Sequence, residues 1–216
     1  MSQAPSALLL IATGCQHCPS MLMSLSELIK EGKKSQLEVV NIVEAPERAQ
    51  ALNVRSVPWL KVGEYELVGL KSKSEIQQWI DKSANTEDMS AYFEELMVSG
   101  EISKAQQLVE DKPRHMKTLL DIMANEESGL SARIGVGAIM EQLAGSEILQ
   151  NNIDALGAYC QNPVARIRSD ACYYLGLSHH VNAEKYIRPL LDDSDDEVKE
   201  IAQDALDEIS EKQTKI

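Results

Sequence analysis

The chain opens with an unbroken apolar run, Ala7-Leu8-Leu9-Leu10-Ile11-Ala12, whose lack of alternation suits a strand buried on both faces of a parallel sheet. Met21, Leu22, Leu25, Leu28 and Ile29 then recur at helical spacing, and Gly32 is placed to end that helix. Leu37 to Ile42 predicts a second buried strand, and Arg48 to Leu52 a short helix. Trp59 to Val62 and Tyr65 to Val68 flank Gly63-Glu64, a two-residue loop that fits a type II′ hairpin. Ser74 is the expected cap of a last helix carrying Ile76, Trp79 and Ile80. The predicted order is βαβαββα.

From Thr86 onward the pattern is helical throughout. Met89, Tyr92, Phe93, Leu96 and Met97 form one stripe, broken at Gly100; Ile102, Ala105 and Leu108 form the next, broken at Pro113. Met116, Leu119, Leu120 and Met123 follow. Further along, the chain repeats itself at an offset of 31 residues. Ile167-Arg168 falls on Val198-Lys199, Ala171 on Ala202, Leu175 on Leu206, and Leu156 and Tyr159 fall on Ile187 and Leu190. A degenerate earlier copy starts near Ala132-Arg133, about 35 residues upstream of Ile167-Arg168. One helix pair cannot bury its apolar face alone, so such copies are expected to stack into a solenoid.

Charge divides the chain in the same place as the pattern. Residues 1–84 hold nine Lys/Arg and nine Asp/Glu; residues 85–216 hold 12 against 25, which accounts for the whole net charge of −13. The step puts a domain boundary near Ser83-Ala84-Asn85-Thr86. We read residues 1–84 as one domain, 85–114 as a helical linker or degenerate repeat, and 115–216 as a helical repeat domain. No Lys/Arg cluster is available to neutralise phosphates, so nucleic acid and anionic membranes are not expected partners. Met1 to Ala12 has no basic leader pattern, and no stretch nears the ~18 apolar residues of a membrane span. The expectation is a soluble cytoplasmic protein, with no cofactor and no resident metal.

The candidate chemistry is Cys15-Gln16-His17-Cys18, directly after the first strand and at the start of the first helix, with Ser56-Val57-Pro58-Trp59 following later. Two cysteines three apart suit a redox dithiol or two of the usual four zinc ligands. Cys160 and Cys172 lie inside helical apolar stripes, which makes them core residues and not obvious metal partners for the first pair; the alternative is a second redox pair. A helix N-terminus stabilises a thiolate through its unpaired N–H groups and dipole, which favours Cys15 as the reactive sulfur, with Cys18 one turn inside on the same face. His17, if protonated, is a candidate for tuning Cys15. His179-His180 reads as a solvated turn, and Asp192 to Glu197 as a loop and helix start.

Taken with the Val-Pro and the hairpin, residues 7–83 resemble a compact thioredoxin/glutaredoxin-like domain. They are similar to the N-terminal domain of the alkyl hydroperoxide reductase flavoprotein and to archaeal glutaredoxin-like oxidoreductases. The resemblance implies that Cys15 attacks, Cys18 resolves, and Pro58 is cis beside them, and a cis peptide there would let an extended substrate pair with the Val57 backbone next to Pro58. Trp59 and Trp79 read as core residues, with Trp59 lining the substrate-binding surface as the alternative. The resemblance also exposes departures: the buried acid of thioredoxins is Leu9 here, its companion lysine is Val39, and Gly14 replaces a tryptophan. Residues 115–210 resemble short bacterial HEAT repeats, through the Leu-x-Asp…Val-Lys/Arg…Ala…Leu pattern. The expected fold class is therefore an α/β thioredoxin-like domain followed by an all-α HEAT-like domain. The expected activity is thiol-disulfide exchange with a client protein held by the repeats. The alternatives are an adaptor whose first domain is an anchor or redox sensor, and a holdase chaperone.

Overall fold

The computed structural model describes residues 7–83 and 89–214, and the chain divides into two units, Met1–Asp88 and Met89–Ile216. Of the boundary expected near Ser83-Ala84-Asn85-Thr86, residues 84–86 lie outside the described residues. The first unit runs β1 (Ala7–Ile11), α1 (Cys18–Lys30), β2 (Leu37–Asn41), α2 (Pro46–Ala51), β3 (Trp59–Val62), β4 (Tyr65–Val68) and α3 (Lys73–Lys82). β1 lies parallel to β2 and antiparallel to β3, and β3 pairs antiparallel with β4, so the sheet order is β2-β1-β3-β4. Interior β1 buries Ala7, Leu9 and Leu10, as its apolar run requires. β2 corrects the expectation of a second buried strand: it is an edge strand, with Glu38 and Val39 exposed. An apolar run shows that a strand can be covered, but strand order decides whether it is.

α1 buries Met21, Leu25 and Leu28 and ends as its glycine predicted. Gly32, at φ +73°, lets its own N–H reach Ile29 O and the Lys33 N–H reach Leu28 O, so two terminal carbonyls are satisfied. Gly63 has φ +61° while Glu64 does not enter the left-handed region, the pattern a type II′ turn needs. The cap of α3 is Ser72, not Ser74. Ser72 accepts from Glu75 N and the Glu75 side chain answers its backbone, whereas Ser74 already lies inside the helix. Ser72-Lys73-Ser74-Glu75 carries that capping-box spacing in the sequence.

Lys34 is the anomaly of this unit. It is 4% exposed, and its Nζ meets no hydrogen-bond partner among the described residues. Burial pulls its pKa down. A lysine whose folded pKa is lowered penalises the fold at neutral pH, and stability rises with pH between that value and the unfolded value of about 10.4. Lys34→Met keeps the apolar stem and removes the stranded ammonium, so it is expected to stabilise the protein by about 1–3 kcal/mol at neutral pH. Trp59 and Trp79, the two tryptophans of the chain, both lie in this unit and report the urea midpoint by fluorescence. A midpoint unchanged or lowered by the substitution refutes the reading.

The second unit is helical: α4 (Ser90–Val98), α5 (Ile102–Asp111), α6 (Met116–Ala124), α7 (Leu130–Gln142), α8 (Glu147–Gln150), α9 (Ile153–Tyr159), α10 (Ala165–Leu177), α11 (Glu184–Ile187) and α12 (Asp196–Gln213). α5, α7, α10 and α12 pack in succession, and α4 packs on α6 and α7. The 31-residue offset holds in space, since α9 and α11 start at Ile153 and Glu184, and α10 and α12 at Ala165 and Asp196. α7 starts at Leu130, 35 residues before α10. The matched positions Ile167 and Val198, Ala171 and Ala202, and Leu156 and Ile187 are all buried. α10 approaches α12 closely because Gly176 lacks a side chain: a Cβ there would stand 2.8 Å from Ala205 Cβ and 3.0 Å from its Cα.

The turns before α10 and α12 are built alike. Asn162 Oδ1 accepts from Val164 N and Asp193 Oδ1 from Asp195 N, each at 2.9 Å. Arg168 joins the two turns, with Nε and Nη2 on the Asp193 carboxylate at 2.8 and 2.6 Å and Nη1 on the carbonyls of Asn162 and Pro163. The acidic run serves the next helix as expected, since Asp195 caps α12 through Glu197 N and Val198 N. His179 corrects the expectation of a solvated turn. It ends α10 at φ +52°, its side chain is largely covered, and Nε2 lies 2.9 Å from Glu208 Oε1. No helix among the described residues is long and apolar enough to cross a membrane.

Candidate functional site

The site forms at one end of the sheet because of strand direction. The C-terminal ends of parallel β1 and β2, the start of antiparallel β3 and the end of β4 all face the same way. Four connections therefore meet there: Ala12 to His17, Ile42 to Ala45, the approach to β3 through Val57 and Pro58, and Gly69-Leu70. Cys15 and Cys18 are joined in a disulfide with Cα atoms 5.5 Å apart. The Val57–Pro58 peptide is cis. Gly69, at φ +82°, donates its N–H to Pro58 O at 2.9 Å and so ties the end of β4 to the proline.

Cys18 is the first residue of α1 and Cys15 lies outside the helix, which corrects the expectation of Cys15 at the helix end with Cys18 a turn inside. The consequence for the sulfur is the one anticipated. The N–H of Cys18, one of the unpaired donors of the helix start, points at Cys15 Sγ at 3.1 Å. Cys15 is half-buried, whereas Cys18 is 4% exposed. An incoming group thus meets Cys15 first, and negative charge on that sulfur is met by a backbone donor and the helix dipole. His17 is the N-cap residue of α1 and exposed, and it makes no side-chain cap bond.

Trp59 takes its core reading and is not offered to substrate. At 2% exposed it sits in β3 between Leu10 and Val68, and belongs to the core. Pro58 is buried and Val57 half-buried, so within Val57-Pro58-Trp59 only Val57 retains accessible surface of any size. Leu9 is fully buried, pairs in register with Val39 and Leu60, and supplies no carboxylate.

One participant was not foreseen. Asn41, the last residue of β2, donates from Nδ2 to Thr13 Oγ1 at 2.9 Å and accepts from Val43 N at 3.1 Å. It thereby braces the segment leading to Cys15 against the neighbouring loop. Its sequence signal is faint: a polar amide ending an apolar run. Among the described residues no group of three or more His, Cys, Asp or Glu is placed to hold a metal. Cys160 and Cys172 are free and buried, and burial pushes both thiols up to about 12. They stay protonated at neutral pH and are poor nucleophiles.

No curated protein matches the chain. The family model described as thioredoxin domain matches residues 7–81, about a third of the sequence, from the start of β1 into α3. With its mixed four-stranded sheet, flanking helices and disulfide-capable Cys-x-x-Cys, this segment is a thioredoxin domain suited to a redox-related role, and a largely helical region follows it.

Proposed function

We propose that the protein exchanges thiols and disulfides with client proteins. The Cys15 thiolate attacks a client disulfide, forming a mixed disulfide and releasing one client thiolate. The Cys18 thiolate then attacks Cys15 Sγ, releasing the second client thiolate. The client disulfide is reduced, the Cys15–Cys18 pair is oxidised, and an external dithiol must restore it; oxidation of a client runs the same steps backwards. The observation that carries this reading is the sulfur pair at the start of α1, with the Cys18 N–H aimed at the more accessible Cys15. The helical region, with its 31-residue repetition, acts as a HEAT-like surface for the client and raises the effective concentration of its disulfide near Cys15.

The apolar Leu9–Val39 pair favours a second reading, in which the first unit is a redox sensor or anchor and the helices do the work. Turnover and client binding separate the two, and the potential gives the direction of exchange. A reduction potential near about −270 mV marks a reductase, and one above about −200 mV an oxidant or isomerase. Either is expected to accompany turnover of a peptide disulfide that vanishes in a Cys15→Ser, Cys18→Ser double variant. Absence of turnover in the wild type, with unchanged client binding by the double variant, would leave only the adaptor reading.

A further inference from the structure

In the oxidised protein the disulfide itself holds Cys15 beside Cys18, with Cα atoms 5.5 Å apart. Exchange requires Cys15 to keep that place after the sulfurs part. Only there does the Cys18 N–H meet its thiolate, and only there is Cys18 in reach to resolve a mixed disulfide. Cys15 lies outside both β1 and α1, so no strand ladder or helix holds it. A turn does. Cys15 N donates to Ala12 O at 3.2 Å, and Gly14, third of those four residues, has φ +81°, the left-handed value a type II turn takes at that position. Thr13, the exposed corner of the turn, makes one hydrogen bond among the described residues: it accepts at Oγ1 from Asn41 Nδ2 at 2.9 Å.

Asn41 is itself firmly held. Its backbone O accepts from Glu44 N at 3.2 Å and Ala45 N at 3.0 Å. Its Oδ1 accepts from Val43 N at 3.1 Å, which leaves the donor end of the amide for Thr13. Next to it Ile42 N donates to Ile11 O at 2.9 Å, where β1 ends. The amide thus carries the order of the sheet past the end of β1 and into the turn that presents Cys15. We infer that Asn41 is a positioning residue for the exchange at Cys15: through Thr13 it keeps the reduced sulfur on the Cys18 N–H and so favours the thiolate. The inference rests on the exchange chemistry proposed above. Without the amide, the turn is free to swing about Ala12 once the disulfide opens, and the thiolate loses part of its charge-assisted hydrogen bond and of the helix dipole. The ionisable groups of the connections around Cys15 are His17 and Cys18 at the start of α1, Glu44 after β2, Arg55 ahead of Val57 and Lys71 after Leu70. Neutral substitutions at 13 and 41 leave all of those charges in place, so a change in Cys15 titration reports its position.

The test is the pH profile of Cys15 alkylation by iodoacetamide, in the full chain carrying Cys18→Ala, whose other thiols, Cys160 and Cys172, are buried. Thr13→Val keeps the shape of the side chain and removes the acceptor. It should raise the midpoint of the profile by at least about 0.5 pH, about a threefold loss of thiolate at a pH below that midpoint. Asn41→Ala should raise it at least as far, the double variant no further than Asn41→Ala alone, and Thr13→Ser should stay with the parent. Thr13 is exposed, so Thr13→Val tests the brace even if Asn41→Ala disturbs the sheet edge. A contact that merely supports the loop would lower the urea midpoint and leave the profile where it was; that result overturns the inference. So does an equal shift in Thr13→Ser and Thr13→Val, or shifts that add in the double variant. Turnover of a peptide disulfide is followed with Cys18 restored. Turnover without a profile shift sinks the role of Asn41 alone; a profile shift without turnover sinks the exchange reading alone.

Discussion

Replacing Cys18 with Ala is expected to turn the protein into a trap. Cys15 keeps its place outside α1, and the backbone N–H at position 18 still points at its sulfur. Attack on a client disulfide therefore proceeds, but no neighbouring thiol releases the product. The lost step is intramolecular, and such steps gain many orders of magnitude in effective concentration. Turnover should fall by at least about a hundredfold while a mixed disulfide accumulates. Non-reducing electrophoresis of the variant with a disulfide-bearing client shows the adduct, and dithiothreitol removes it. Cys15→Ala, which leaves only the buried sulfur, should give neither adduct nor turnover. Trapping of equal strength in the two variants would mean that burial does not set the order of attack.

Arg168→Leu is expected to be the most damaging single substitution in the helical region. The side chain is 13% exposed and the Asp193 side chain 8%, and four hydrogen bonds join the turn before α10 to the turn before α12. Leucine would leave a covered carboxylate without its cation and two turn carbonyls without a donor. The flanking Asp192 and Ser194 are exposed, so water can reach part of the way in, and the cost falls at the lower end for such pairs, about 3 kcal/mol. Helical circular dichroism on heating measures the loss. Arg168→Lys should recover only part of it, since a lysine restores charge but not the fork. Recovery in full would show that charge alone matters.

The same pair sets an acid dependence. The hydrogen bond from Arg168 holds the Asp193 carboxyl below the usual carboxylate range. A carboxyl lowered in the folded state contributes its stability above the unfolded value of about 3.9, and that stability is lost as pH falls through the lowered folded value. The wild type should therefore lose helical stability below about pH 4 more steeply than Arg168→Leu, in which the carboxyl has no such partner to lose.

The order of elements in the first unit, the helix-ending Gly32, the Gly63 hairpin and the 31-residue repetition were all legible in the sequence. Each rests on a local rule: side-chain periodicity, the left-handed backbone that glycine tolerates, and the need of one helix pair to cover the next. The Cys-x-x-Cys with its later Val-Pro marked the candidate site for the same reason, because short spacing and chain order are local properties. What the tertiary structure decided was coverage and partnership. Trp59 and β2 both lie in apolar runs, yet strand order buries the tryptophan between Leu10 and Val68 and leaves Val39 at an edge. Asn41 braces Thr13 from 28 residues away, and Arg168 finds Asp193 across 25. No window of sequence contains both members of such pairs. Burial and long-range hydrogen bonding are set by how elements pack, and packing is a property of the whole fold that no single segment encodes.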